Sequence, residues 1–329
     1  MTFPGDVRDP VEALRDAIRG ARWRDALAEY AALAVHGHRS ADADLLAATA
    51  ATRLGEYASA RALARGAHER FRRQADGDGR TRAANLLGVI AWEQGELDLA
   101  RTHYDEALQL AQGAGDALLW ARASNNLGLV AHLQGDAAGA AGRWREALLA
   151  YQRLGDRRGA AETWHNIGIA RRWEAAWADA DHATTEAVRH AELLGDPGLL
   201  ALTLGGRAEL HLERGERALA RRELARAAEL ARAAEDEVEQ AEIDRLLAVV
   251  ALQDGEVAEA ERLALRSHAT AERAGVALLG AESAALVALA RRARGDTGGA
   301  TRWYESAVAA FRRLGAIAFE QRFLEQYAA

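Results

Sequence analysis

Residues 125–148 read NNLGLVAHLQGDAAGAAGRWREAL, and the spacing inside this stretch decides the fold. Leu127 and Val130 recur three apart. After a turn at Gly135, Ala140, Trp144, Ala147 and Leu148 recur at i, i+4, i+7 and i+8. That is the apolar stripe of an amphipathic helix on each side of a glycine turn. The pattern then repeats along the chain without gaps. Ala60, Ala100, Ala140, Ala180, Ala220, Ala260 and Ala300 stand at steps of 40. Gly55, Gly95, Gly135, Gly215, Gly255 and Gly295 form a parallel series broken by Ala175, and Ala107, Ala147, Ala187 and Ala227 form a third. A period of this kind marks stacked supersecondary units.

The joints carry matching stop and start signals. Gly115-Asp116, Gly155-Asp156 and Gly195-Asp196 place glycine where a helix ends in a left-handed residue and aspartate where the next is capped. Pro197 follows at a first helical position, where its missing N–H costs nothing. Small residues at fixed sites let helices approach closely, so a bulky side chain at Ala140 would force them apart.

Composition agrees. Half of the 329 residues are hydrophobic but only 6% are aromatic, which suits close helix packing and not a thick core or sheet. Three prolines leave long helices intact, and the absence of cysteine excludes disulfides, thiolate metal sites and cysteine nucleophiles. The opening Met1-Thr2-Phe3-Pro4-Gly5-Asp6 lacks the basic start and apolar run of a signal peptide, and no stretch reaches the ~18 apolar residues of a membrane span. We therefore expect a cytoplasmic chain with no membrane partner. The net charge of −7 argues against a nucleic-acid partner.

These features together resemble the tetratricopeptide repeat (TPR), whose pattern has Leu-Gly in the first helix and Ala, an aromatic and Ala in the second. Here they are Leu87-Gly88, Ala100, Tyr104 and Ala107, then Leu127-Gly128, Ala140, Trp144 and Ala147. A third set is Ile167-Gly168, Ala180 and Ala187, with Thr184 in place of the aromatic. The resemblance covers nearly the whole chain and implies an all-α, right-handed α-solenoid of about eight helix–turn–helix repeats. These fall near 9–38, 40–75, 78–114, 117–154, 157–194, 197–234, 237–274 and 277–314, in a single domain spanning 1–329. A capping helix at 316–327 carries Phe319, Phe323, Leu324 and Tyr327. The long repeat is similar to those of kinesin light chains, cell-polarity adaptors and bacterial TPR regulators.

All 42 basic residues are arginine, as expected of a GC-rich gene that discards the codons for lysine and asparagine. The four asparagines that survive, Asn85, Asn125, Asn126 and Asn166, sit at two adjacent places of the repeat. In kinesin light chains and polarity adaptors, Asn-Asn-Leu or Asn-Leu-Gly segments line a concave groove and hold the backbone of an extended peptide. The resemblance implies that role for these asparagines, Asn126 and Asn166 foremost. An amide side chain can pair with either peptide N–H or C=O without bringing charge. The alternative is that they bond across helix seams and set packing register.

Helical spacing extends the strip. Arg82 and Arg122 lie three residues before Asn85 and Asn125 and share their face. Trp92 and His132 follow on the same side, as do His165 and Arg172 in the next unit, where Glu162 replaces the arginine. The strip is polar and locally basic, with Trp92 as an anchor. It suits a protein partner offering an extended, acidic segment, unless Arg82 and Arg122 are simply solvated.

Other features add expectations. Trp164 belongs to the core, whereas Trp173 and Trp177 flank a turn as candidate partner contacts. Gly205-Gly206 should bend or loosen a first helix. Glu209, His211 and Glu213 alternate in a way that should send them to different faces. His36 and His38 lack supporting ligands, and Asp76-Gly77-Asp78-Gly79 lacks the rest of a calcium loop, so no metal is expected. No cofactor motif or catalytic constellation stands out, and the chain reads as a peptide-binding adaptor and not an enzyme. A signal-sensing regulator that flexes at Gly205-Gly206 is the alternative.

Overall fold

A computed structural model describes residues 11–20, 22–35, 37 and 39–328, so the His36/His38 pair lies outside the described residues. The described residues form helices α1 (Glu12–Arg19), α2 (Trp23–Val35), α3 (Ala41–Arg53), α4 (Tyr57–Arg73), α5 (Gly77–Glu93) and α6 (Leu97–Ala114). Then come α7 (Ala117–Leu133), α8 (Ala137–Leu154), α9 (Arg157–Trp173), α10 (Trp177–Leu194), α11 (Pro197–Glu213) and α12 (Arg217–Ala233). The last are α13 (Glu237–Gln253), α14 (Val257–Ala274), α15 (Ala277–Ala293), α16 (Thr297–Leu314) and α17 (Ile317–Ala328). This is an all-α solenoid in which α1 to α16 pair in sequence and α17 is left over.

The stop and start signals act as the sequence implies. Asp76, Asp116, Asp136, Asp156, Asp196, Asp236 and Asp296 each accept a hydrogen bond from the backbone N–H three residues on, at 2.8–3.0 Å. Gly115, Gly155, Gly195, Gly275 and Gly315 end their helices in left-handed backbone, with φ between 63° and 70°. The break in the glycine series does not change the turn: Ala175 adopts φ 54° all the same.

The glycine of each Leu-Gly pair makes room for the second helix. A Cβ on Gly88 would stand 2.5 Å from the Tyr104 ring, and one on Gly128 would run into Trp144. Ala100, Ala140, Ala180, Ala220 and Ala260 are fully buried at the helix contacts.

The chain divides into two compact units, Met1–Ala123 and Ser124–Ala329, with the division inside α7. The first unit is held by small clusters such as Leu45, Phe71 and Ala83. The second has a larger one, in which Leu204, Leu224, Ile243, Leu246 and Val250 meet. Within it Trp164 is only half-buried, with its ring edge-on to His182 at 5.3 Å.

The glycine pair Gly205-Gly206 does not break its helix, because α11 runs uninterrupted from Pro197 to Glu213. Gly206 is instead a packing glycine: a Cβ there would stand 2.5 Å from Nδ1 of His165 on α9. Arg207, at a usual leucine place, reaches Glu223 on α12 at 2.9 Å.

Candidate functional site

In the first unit the candidate residues are Arg82, Asn85, Trp92 and Arg122. Arg82 is exposed but pairs with Asp42 at 3.1 Å and lies over the Phe71 ring at 5.7 Å. Asn85 and Trp92 are half-buried. Arg122 is exposed and has no partner among the described residues.

In the second unit the asparagines divide by role. Asn125 and Asn166 are buried, and Nδ2 of Asn166 donates to Oδ1 of Asn125 at 3.1 Å. The same oxygen accepts from Thr163 Oγ1 at 3.1 Å, while the Asn125 backbone oxygen accepts from Trp144 Nε1 at 3.1 Å. These bonds satisfy polar groups that burial would otherwise leave costly. The seam between α7 and α9 is therefore where these two asparagines act. Asn126, one residue on, is half-exposed.

Below this seam, the first helices of successive pairs carry one continuous ion network. Arg172 on α9 reaches Glu209 at 2.7 Å and Glu213 at 3.3 Å on α11. Glu209 also holds Arg245 of α13 at 2.8 Å, and Arg245 in turn contacts Glu242 on its own helix and Glu282 of α15 at 3.5 Å. Glu209 and Glu213 are four apart and so share a face, contrary to the reading that scattered them. Arg172 is neutralised inside this network and is not a free basic contact.

Repeat arithmetic shows why these residues meet. Asn85, Asn125, His165, Gly205 and Arg245 occupy one repeat position at steps of 40. Arg82, Arg122, Glu162, Glu242 and Glu282 occupy another, with Leu202 between. The strip that begins basic becomes acidic farther along, and that signal was present in the sequence once the ladder was extended past asparagine.

Charge on this wall is unevenly balanced. Burial opposes ionisation of Glu209, but Arg172 and Arg245 outweigh it and hold the carboxyl at about 2. Glu282 is pushed up to about 7 by burial, with Glu242 and Glu209 adding to it. Glu239, whose Oε1 is buried without a hydrogen bond, is pushed up to about 8 by burial and then by Glu242 and Asp236. His165 is lowered to about 4, chiefly by burial, so it is neutral at pH 7.

An aromatic column stands beside the ions. His132 lies between Trp144 at 5.8 Å and Trp173 at 5.2 Å, and Trp173 meets Phe319 of α17 at 4.6 Å. Arg322 of α17 lies over the Trp173 ring at 5.2 Å and pairs with Glu213. Trp173, expected near the surface as a partner contact, is thus covered by the chain's own last helix. Trp177 is 40% exposed and, with Ala178, Asp181, Glu213 and Arg214, lines an open recess of about 540 Å³.

The tetratricopeptide repeat profile matches residues 39–113. This stretch carries tetratricopeptide repeats, and the chain has the all-α solenoid fold of proteins built from them. Solved structures show a likeness of fold over nearly the whole chain. The Rap conjugation gene regulator of plasmid pLS20 in complex with the Phr* peptide is 16% identical, covers 94% of this chain and 95% of its own, and has a TM-score of 0.67. A Rap protein complexed with Competence and Sporulation Factor is 12% identical over 97% and 96%, with a TM-score of 0.65. NprR in complex with its cognate peptide NprX is 14% identical over 99% and 98%, with a TM-score of 0.64. At these identities the likeness is one of fold. No curated protein matches the sequence. No described helix is long and apolar enough to cross a membrane.

Proposed function

We propose that this chain is a non-enzymatic binding protein that holds an extended segment of another protein on the wall made by its first helices. The observation that carries this is the wall itself in the second unit. There half-exposed Asn126 and the ion network from Arg172 to Glu282 lie on the first helices of consecutive repeats, and Glu213 at the end of α11 joins them to the open recess beside exposed Trp177 of α10. Polar groups spaced by the repeat suit a peptide backbone, and a recess with one aromatic side suits an anchoring side chain. Two of the similar folds are described with bound peptides, which supports the same use of the fold here.

An acidic character of the segment rests on Arg122 alone, because Arg82 and Arg172 already hold carboxylates. A peptide library panned against the intact chain tests the reading. Binders that lose at least tenfold in affinity with Asn126→Ala support it, and a library that yields none, either against the intact chain or against a folded Phe323→Ala/Tyr327→Ala chain that frees α17, sinks it. Cytoplasmic localisation belongs to the same proposal, as does the absence of a cofactor.

A further inference from the structure

Most of α17 is explained by capping. Phe323 is buried against Phe311 at 6.2 Å and Tyr304 at 5.5 Å, and Tyr327 meets Tyr304 at 4.6 Å. These contacts cover the outer face of α16. The other half of the helix does something a cap does not require. Phe319 and Arg322, one turn apart, reach back to Trp173 on α9 and Glu213 on α11. Those helices lie far upstream in the chain, and both belong to the wall.

We propose that α17 is an internal ligand of the wall, and that the outside partner brings the same chemistry, an aromatic ring followed by a guanidinium, to Trp173 and Glu213. This deepens the peptide-binding reading and rests on it.

The contacts are of the kind a ligand makes. A guanidinium over an indole and against a carboxylate combines cation–π and charge-assisted bonding, and neither buries a large apolar area. The grip is also opposed. Arg322 has Arg172 as a neighbour, and burial with that like charge makes its proton easier to lose. Apart from Phe323, no side chain of α17 is fully buried, so the reaching half can leave while the cap holds. The recess lined by Glu213 and Trp177 adjoins the Arg322 contact and offers an incoming segment a place to start. Tethering sets a high effective concentration for α17, so a free segment competes poorly until α17 is released.

The test uses the full chain and two fluorescent peptides, residues 316–329 and the same peptide with Phe319→Ala and Arg322→Ala. The wild-type chain should bind neither. A Phe323→Ala/Tyr327→Ala chain, with α17 released, should bind the native peptide at least tenfold tighter than the altered one. Adding Glu213→Gln should erase that preference. Equal binding of the two peptides, or none, by the folded released chain overturns the proposal.

A second measurement does not need the released chain to fold. Arg322→Glu sets a negative charge against Glu213, and amide hydrogen exchange in α17 should rise at least tenfold while α16 is unchanged. No change in α17 also overturns it. Library peptides that bind the wild-type chain through Asn126 would then leave the wall as a peptide site with α17 as a plain cap.

Discussion

Asn166 donates from Nδ2 to Oδ1 of Asn125 at 3.1 Å, so two asparagines from adjacent repeats join α9 to α7. Asn125 is the hub, since Thr163 shares its oxygen. Asn125→Ala would leave the buried Asn166 amide short of its partner, while Thr163 keeps its 2.7 Å bond to the Gly159 carbonyl, and we expect it to cost about 1–3 kcal/mol. Asn126→Ala, at a half-exposed site, should stay within about 0.5 kcal/mol. Urea unfolding followed by circular dichroism separates them, and equal losses would show that Asn126 is structural as well.

The glycine pair on α11 invites a comparison of neighbours. Gly205→Ala adds a Cβ whose nearest neighbours stand at 3.7 Å, an ordinary contact, so the helix should gain about 0.5–1 kcal/mol. Gly206→Ala adds one 2.5 Å from the His165 ring and should lose about 1–3 kcal/mol. His165→Ala in the Gly206→Ala background should recover part of that loss. If Gly206→Ala stabilises as Gly205→Ala does, the ring is not packed where the structure has it.

Ala175 holds a left-handed backbone without being glycine. Ala175→Gly should relieve strain that outweighs the extra freedom of the unfolded chain, raising stability by roughly 0.5–1 kcal/mol. Ala75, at φ 55°, and Glu235, at φ 53°, should respond in the same direction. A fall in melting temperature for all three would contradict this.

Glu239 makes stability depend on pH. Its folded value of about 8 stands above the ~4.3 of an unfolded glutamate, so the folded chain keeps a proton that the unfolded chain releases. Its contribution is fully present below about pH 4.3 and is lost as pH rises toward 8. Glu282, at about 7, pulls in the same direction over a narrower window. Glu239→Gln should therefore match the wild type near pH 5 and exceed it near pH 8 by on the order of 1–3 kcal/mol. Melting curves at the two pH values check this, and a Gln variant that is no better at pH 8 rejects it.

The repeat, its turns and its caps were legible in the sequence because each rests on local physics. Amphipathic spacing, left-handed glycines and N-capping aspartates act within a few residues, and the 40-residue period multiplies the signal. The ladder positions were legible too, as was the chance that asparagines serve a seam. Which asparagine does which was not. Asn125 and Asn126 are adjacent on one helix, and only the packing of α9 against α7 buries the first and leaves the second half-exposed. Likewise the fate of each arginine depended on partners a repeat or more away: Asp42 for Arg82, and Glu209 and Glu213 for Arg172. The sequence by itself determined the units and their order. The tertiary structure alone decided which charges cancel, and that the last helix reaches back to Trp173, because pairing and burial are set by neighbours distant in the chain.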